Sequence, residues 1–187
     1  MLTLGHSTLP LETFLDVLQR NDISTLVDVR TIPRSRHNPQ FSQENMELSL
    51  PQVGIAYLWK KDLGGLRPIK KNSSNMASNM AWRNASFRGY ADYMQTPEFT
   101  AALAALIQIG QSCQPRQCVI LCAEAVPWRC HRSLIGDALL ANGVAVEDIF
   151  VQKNGTSMRK PHHMTPFAHL DGAHVFYPAE QQALALE

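Results

Sequence analysis

Short apolar runs alternate with stretches of helical period along this chain, and that alternation restricts the fold more than any other feature. The segments 25-TLVDVR-30, 53-VGIAYLW-59, 118-CVILCA-123 and 144-VAVEDIFV-151 read as strands, and Met1–Leu4 is a short apolar start of the same kind. Between them, 8-TLPLETFLDVLQRND-22 places Leu11, Phe14, Leu15 and Leu18 at i, i+3, i+4 and i+7, with Pro10 where a first turn tolerates it. Residues 42–50 read as a short helix. The segment 96-TPEFTAALAALIQIG-110 starts with Thr96 as N-cap, Pro97 in the first turn and Glu98 behind it. Its apolar stripe is Phe99, Leu103, Leu106 and Ile107. A helix over about 131–141 carries Leu134, Ile135, Ala138 and Leu139, and Gly143 ends it.

Strand and helix in strict alternation define an α/β fold. The expectation is a three-layer Rossmann-like domain with a mostly parallel sheet and helices on both faces. One domain over 1–187 fits the length. The segment 66-LRPIKKNSSNMASNMAWRNASF-87 has no period, so 66–86 is expected to be a mobile insertion. Residues 152–187 form a tail packing on the same domain, with a helical signal in 179-AEQQALALE-187.

At 45% hydrophobic and 18% charged residues, the composition is that of a globular chain rather than a disordered one. No run nears the roughly 18 apolar residues of a membrane span. The start, MLTLGHSTLP, has neither a basic region nor a long apolar stretch, so no signal peptide is read and the cytoplasm is the expected location. The net charge of +1 hides an uneven distribution. Residues 30–90 hold ten Lys/Arg against three acids, while the flanking segments are each acidic. A basic middle third suits an anionic small molecule, or nucleic acid as a less supported partner.

The chemistry concentrates in 121-LCAEAVPWRCHR-132. Two thiols, a carboxylate, an imidazole and two guanidiniums fall within eleven residues between a strand and a helix. Cys113, Cys118, Cys122 and Cys130 include no C-x-x-C pair, and reduced thiols are expected. On a strand, Cys118 and Cys122 point the same way but lie roughly 13 Å apart, too far to bond. In open α/β sheets, ligands bind beyond the carboxyl ends of the strands. Three such ends carry polar residues here: Gly5-His6-Ser7, Asp28-Val29-Arg30 and Cys122-Ala123-Glu124. One crevice could therefore collect a catalytic set of Cys122, Glu124, Cys130 and His131. The ligand-binding set would be His6, Ser7, Asp28, Arg30, Arg129 and Arg132. Cys130, before the 131–141 helix, sits where a thiolate is favoured. The arginines suit phosphate or carboxylate, and His131 or His6 is the acid–base candidate. The spacing C-x7-C-H matches no common zinc pattern and adjacent Cys and His rarely share an ion, so no metal is expected. No cofactor is indicated. The tail histidines, His162, His163, His169 and His174, read as ordinary loop residues.

These residues resemble a known family. Gly5-His6-Ser7, 27-VDVRTIPRSR-36, 63-LGG-65, 87-FRGYADYM-94 and 121-LCAEAVPWRCHR-132 look like the bacterial and archaeal family called domain of unknown function 488. The tail, 162-HHMTPFAHLDG-172 with Tyr177-Pro178, is similar to it as well. The resemblance implies a compact α/β domain with a site built from those motifs, and it brings no activity with it. A weaker likeness is to rhodanese-type domains, in which an Asp-Arg strand end (here Asp28 and Arg30) precedes a strand ending in a cysteine loop (here Cys122). That likeness implies sulfur or phosphoryl transfer. The loop departs from the compact cradle of those proteins: six residues separate Cys122 from Arg129, and none is glycine.

Overall fold

The computed structural model describes residues 1–68 and 79–179. Its centre is a six-stranded sheet in the order β3-β2-β4-β1-β5-β6. The strands are β1 (Leu2–Gly5), β2 (Ile23–Asp28), β3 (Ala56–Trp59), β4 (Gln117–Cys122), β5 (Glu147–Val151) and β6 (Ser157–Pro161). All neighbours pair in parallel except β6, which runs antiparallel to β5. The helices are α1 (Leu11–Arg20), α2 (Gln43–Gln52), α3 (Ala85–Tyr93), α4 (Pro97–Ser112) and α5 (Arg132–Ala141). A two-stranded hairpin, β7 (His169–Asp171) with β8 (His174–Phe176), lies in the tail. This is the three-layer, Rossmann-like α/β arrangement expected from the alternation. Among the described residues no helix is long and apolar enough to cross a membrane.

Successive side chains of a strand point to opposite faces, and the sheet uses both. On β4, Val119 and Leu121 join Phe14, Val17 and Leu18 of α1 and Met46 and Leu50 of α2. Cys118, Ile120 and Cys122 face the other way, into a core with Tyr90 of α3, Leu103 and Leu106 of α4, and Leu134 and Ile135 of α5. Cys122 thus belongs to the layer that also holds Cys130. Cys118 lies at the opposite end of the same strand, and burial pushes its thiol up to about 12.

Element boundaries follow local chemistry. Thr96 caps α4 by accepting from the Phe99 amide, with Pro97 in the first turn, as the sequence indicates. β5 starts at Glu147 rather than 144, because Val144 donates back to Leu139 and closes α5 after the left-handed Gly143 (φ 73°). β2 stops at Asp28 because its carboxylate accepts the Arg30 amide and turns the chain. Three strands in the tail were not expected. Asn154-Gly155, a hairpin signal, joins β5 to β6, with Gly155 at φ 81°. Of the expected mobile segment, residues 69–78 lie outside the described residues. Residues 79–86 do not fit that expectation. Asn79 is buried between the Tyr177 amide and Asp92, and Trp82 stacks on Phe87. Most of the helical signal at 179–187 also lies outside the described residues.

His162 is no ordinary loop histidine. Its ring is buried, with Nδ1 2.8 Å from Asp148 and Nε2 3.3 Å from Asp137. Asp137 also accepts from the Tyr177 hydroxyl and the Thr165 amide, so one carboxylate on α5 gathers the tail. A side chain at Gly136 would come within 2.6 Å of the ring, so glycine makes the seat. Burial alone would lower the His162 pKa, but the hydrogen bonds and charges of Asp137 and Asp148 outweigh it and raise it to about 9. A raised histidine pKa stabilises the fold while the imidazolium persists. The contribution is complete below the unfolded value near 6.5 and disappears as pH rises through about 9. It should amount to about 3 kcal/mol. Urea unfolding at pH 7 and pH 10 should show the loss in the native chain and a flatter response in His162→Gln. Equal pH dependence in both would refute the assignment.

Candidate functional site at the strand carboxyl ends

β2, β4 and β1 are adjacent in the sheet, so their carboxyl ends open on one side. The ladder runs on past the strands: the His6 amide donates to Cys122, Ser7 to Ala123 and Val29 to Leu121. This continuation sets the two loops in contact. A Cβ at Gly5 would lie 1.7 Å from the Glu124 carbonyl oxygen, so only glycine permits the approach. Ser7 then turns the chain with a left-handed φ of 47°.

Beyond these ends lies a crevice of about 770 Å³. Among its lining residues are His6, Ser7, Arg30, Cys122, Glu124, Arg129, Cys130 and His131. Eight of the ten residues singled out in the sequence thus meet in one place. The two exceptions are informative. Asp28 is fully buried beneath Arg30, with both carboxylate oxygens accepting from the Arg30 Nε at 2.9 and 3.0 Å. Arg132 is only 1% exposed and is not available to a ligand. Its guanidinium donates to the carbonyls of Glu124 and Ala125, fastening the Cys122–Cys130 loop to α5.

Arg30 is held from several sides. Besides Asp28, its Nη1 lies 3.2 Å from His6 Nε2, and its carbonyl accepts from the Trp59 indole. Tyr57 donates its hydroxyl to Asp28 at 2.8 Å. In the sequence Tyr57 and Trp59 read only as aromatics suited to base stacking or to the core and rim; β3 brings them to Asp28 and Arg30 because it pairs in register with β2, Asp28 opposite Trp59. His6 lines the crevice but does not suit acid–base work at neutral pH. Burial and the Arg30 charge lower its pKa to about 4. Nδ1 of His6 donates to the Ser7 carbonyl, leaving Nε2 to accept from Arg30. Its ring is stacked on Phe41 at 4.2 Å. It positions the guanidinium, and His131 remains the acid–base candidate.

At the floor, Cys122 Sγ lies 3.9 Å and Cys130 Sγ 3.7 Å from His131 Nδ1. His131 Nε2 is 3.1 Å from the Val29 carbonyl, and its ring packs on Tyr90 at 5.0 Å. Adjacency does not keep Cys130 and His131 apart. Cys130 is extended (φ −134°, ψ 141°) and His131 helical (φ −57°, ψ −16°), and the bend between them lets both side chains face Cys122. A hydrogen bond from Cys130, aided by His131 and Arg132, lowers the Cys122 thiol well below its ordinary value against the effect of burial. The same hydrogen bond, with burial, raises Cys130. Of the two, Cys122 is the thiol held low and the helix-proximal Cys130 the one held high. Both line the crevice, at 7% and 4% exposure. Such a group can act as a nucleophile or as a ligand.

Fold and site together define a Rossmann-like α/β protein with a thiol–imidazole cluster at the carboxyl edge of its sheet. Residues 10–139 match the family described as domain of unknown function DUF488, and the chain belongs to that family. No curated protein and no solved structure matches it.

Proposed function

We propose that the crevice binds an anionic small molecule, such as a nucleotide or phosphorylated metabolite, with its charged end among the arginines. The observation that carries this reading is the convergence of Arg30, Arg34 and Arg129 on one crevice above the Cys122–Cys130–His131 floor. Guanidiniums offer paired donors that match phosphate or carboxylate oxygens. Arg30 is the fixed member, since Asp28 and His6 set its orientation before any ligand arrives. Arg34 and Arg129 are exposed and free to close on the anion. The crevice volume lies within the range usual for small-molecule sites, roughly 300–1,000 Å³. His131 and the thiols lie where the reactive end of such a ligand would reach.

Calorimetric titration with inorganic phosphate and with ADP tests the reading. Binding should weaken with added salt. It should also fall about tenfold or more in the Arg34→Ala, Arg129→Ala double variant, because a hydrogen bond to a charged group contributes about 1.5–3 kcal/mol. Equal affinity in the native and double-variant chains, or no heat with either probe, would dismiss it.

A further inference from the structure

We propose that Cys122, Cys130 and His131 form a binding site for a single thiophilic divalent cation of the zinc class, with an open position toward the crevice. The inference goes beyond the anion-binding reading and does not depend on it. It starts from the donor atoms. The two sulfurs and His131 Nδ1 all lie within 4.8 Å of one another. Around tetrahedral zinc, with Zn–S of about 2.3 Å and Zn–N of about 2.0–2.1 Å, sulfur and nitrogen lie about 3.6 Å apart. The observed separations are 3.9 and 3.7 Å, and the two sulfurs, within 4.8 Å of each other, would close to about 3.8 Å around the ion, a side-chain movement of an ångström or less.

Two further features prepare the histidine as a ligand. The Val29 carbonyl can only accept, so the proton of neutral His131 sits on Nε2. Nδ1 is left with its lone pair aimed between the sulfurs. A backbone carbonyl on the far nitrogen is the arrangement that orients metal-bound histidines. The second feature is Gly65, which also lines the crevice. A Cβ at that position would lie 2.4, 2.6 and 2.9 Å from Nδ1, Cγ and Cε1 of His131, over the ring face, so glycine lets the backbone seat against the imidazole and hold its plane.

The alternative is a pair of buried cysteines packed as small apolar residues. Cys118 on the same strand fits that description, packed in the apolar core with its thiol pushed up by burial. Cys122 and Cys130 do not, because a histidine with a fixed tautomer stands between them. Three protein ligands leave one position of a tetrahedral ion for water or an anion, as in catalytic rather than structural zinc sites. Binding would release to solvent whatever protons the two thiols carry, as both sulfurs become thiolates.

Cobalt(II) added to the chelator-treated full chain tests this. The expected result is uptake of one equivalent, with sulfur-to-cobalt charge-transfer absorption in the near ultraviolet and visible bands of four-coordinate strength. Zinc should displace the cobalt and abolish the bands. Cys122→Ser and Cys130→Ser should each reduce the charge-transfer intensity and weaken uptake at least tenfold, with circular dichroism confirming that each variant is folded. Cys113→Ser, remote from the site, should behave as the native chain. Absence of uptake by the native chain, or bands unchanged in both serine variants, would overturn the proposal. Phosphate titration of the chelator-treated protein reads the arginine crevice separately, so failure of one reading leaves the other standing.

Discussion

Gly5→Ala should be among the most destabilising single changes in this fold. The added methyl would sit 1.7 Å from the Glu124 oxygen and 2.6 Å from its carbonyl carbon. These are backbone atoms, and no rotamer change removes them. Relief requires a movement of an ångström or more between the end of β1 and the loop after β4. The hydrogen bonds from His6 to Cys122 and from Ser7 to Ala123 hold those two segments together. The same loop is fastened to α5 by Arg132. Overpacking of a core usually costs about 1–3 kcal/mol. With rigid atoms on both sides and ladder hydrogen bonds at stake, about 3–5 kcal/mol is expected. Against a typical total of about 5–15 kcal/mol, that is a large share. Urea unfolding would measure it. A midpoint within error of the native chain would show that the loop yields and that the Gly5 contact does not fix the site.

Asp28→Ala should be nearly as damaging, for an electrostatic reason. Arg30 is only 6% exposed and donates to Asp28 through both Nε and its own amide. Removing the carboxylate leaves a buried guanidinium without its counter-charge and also strips Tyr57 of its acceptor. Breaking a buried pair from one side typically costs about 3–5 kcal/mol, whereas replacing both partners costs far less. Arg30 borders the crevice and can swing partly into water, which favours the lower end, about 3 kcal/mol. Asp28→Ala combined with Arg30→Met should recover a substantial part of the stability but none of the phosphate binding. A double variant as unstable as Asp28→Ala alone would show that the loss comes from the cavity rather than the stranded charge.

The sequence makes the parallel sheet legible because each buried strand is a short apolar run and each helix shows its period or cap, as at Thr96. The crevice is legible for the same reason, since polar residues at the ends of β1, β2 and β4 must converge once those strands are adjacent. What period does not encode is direction. Arg132 and Asp28 look like ligand-binding residues in the sequence, but backbone carbonyls and a salt bridge take them inward. The site residues from β3, Tyr57 and Trp59, depend on strand register, which no local pattern specifies. β6 was missed because an edge strand reading Ser-Met-Arg-Lys-Pro is mostly exposed and carries no apolar alternation. His162 was missed because its carboxylate partners are 14 and 25 residues away.

The place of β1 in the sheet has a consequence for the order of assembly. β1 precedes the other strands of the sheet in the chain, yet its neighbours are β4 and β5, more than a hundred residues later. β2 and β3 can pair early, because they follow each other in the chain and residues 23–59 contain both. Leu2 and Leu4 must wait with their strand edges open until residues 117–151 arrive. Contacts this distant in sequence carry a large loop-closure entropy and slow the search. The thiol–imidazole cluster is therefore among the last parts to form, and a nascent chain that ends before Cys130 lacks two of its three members.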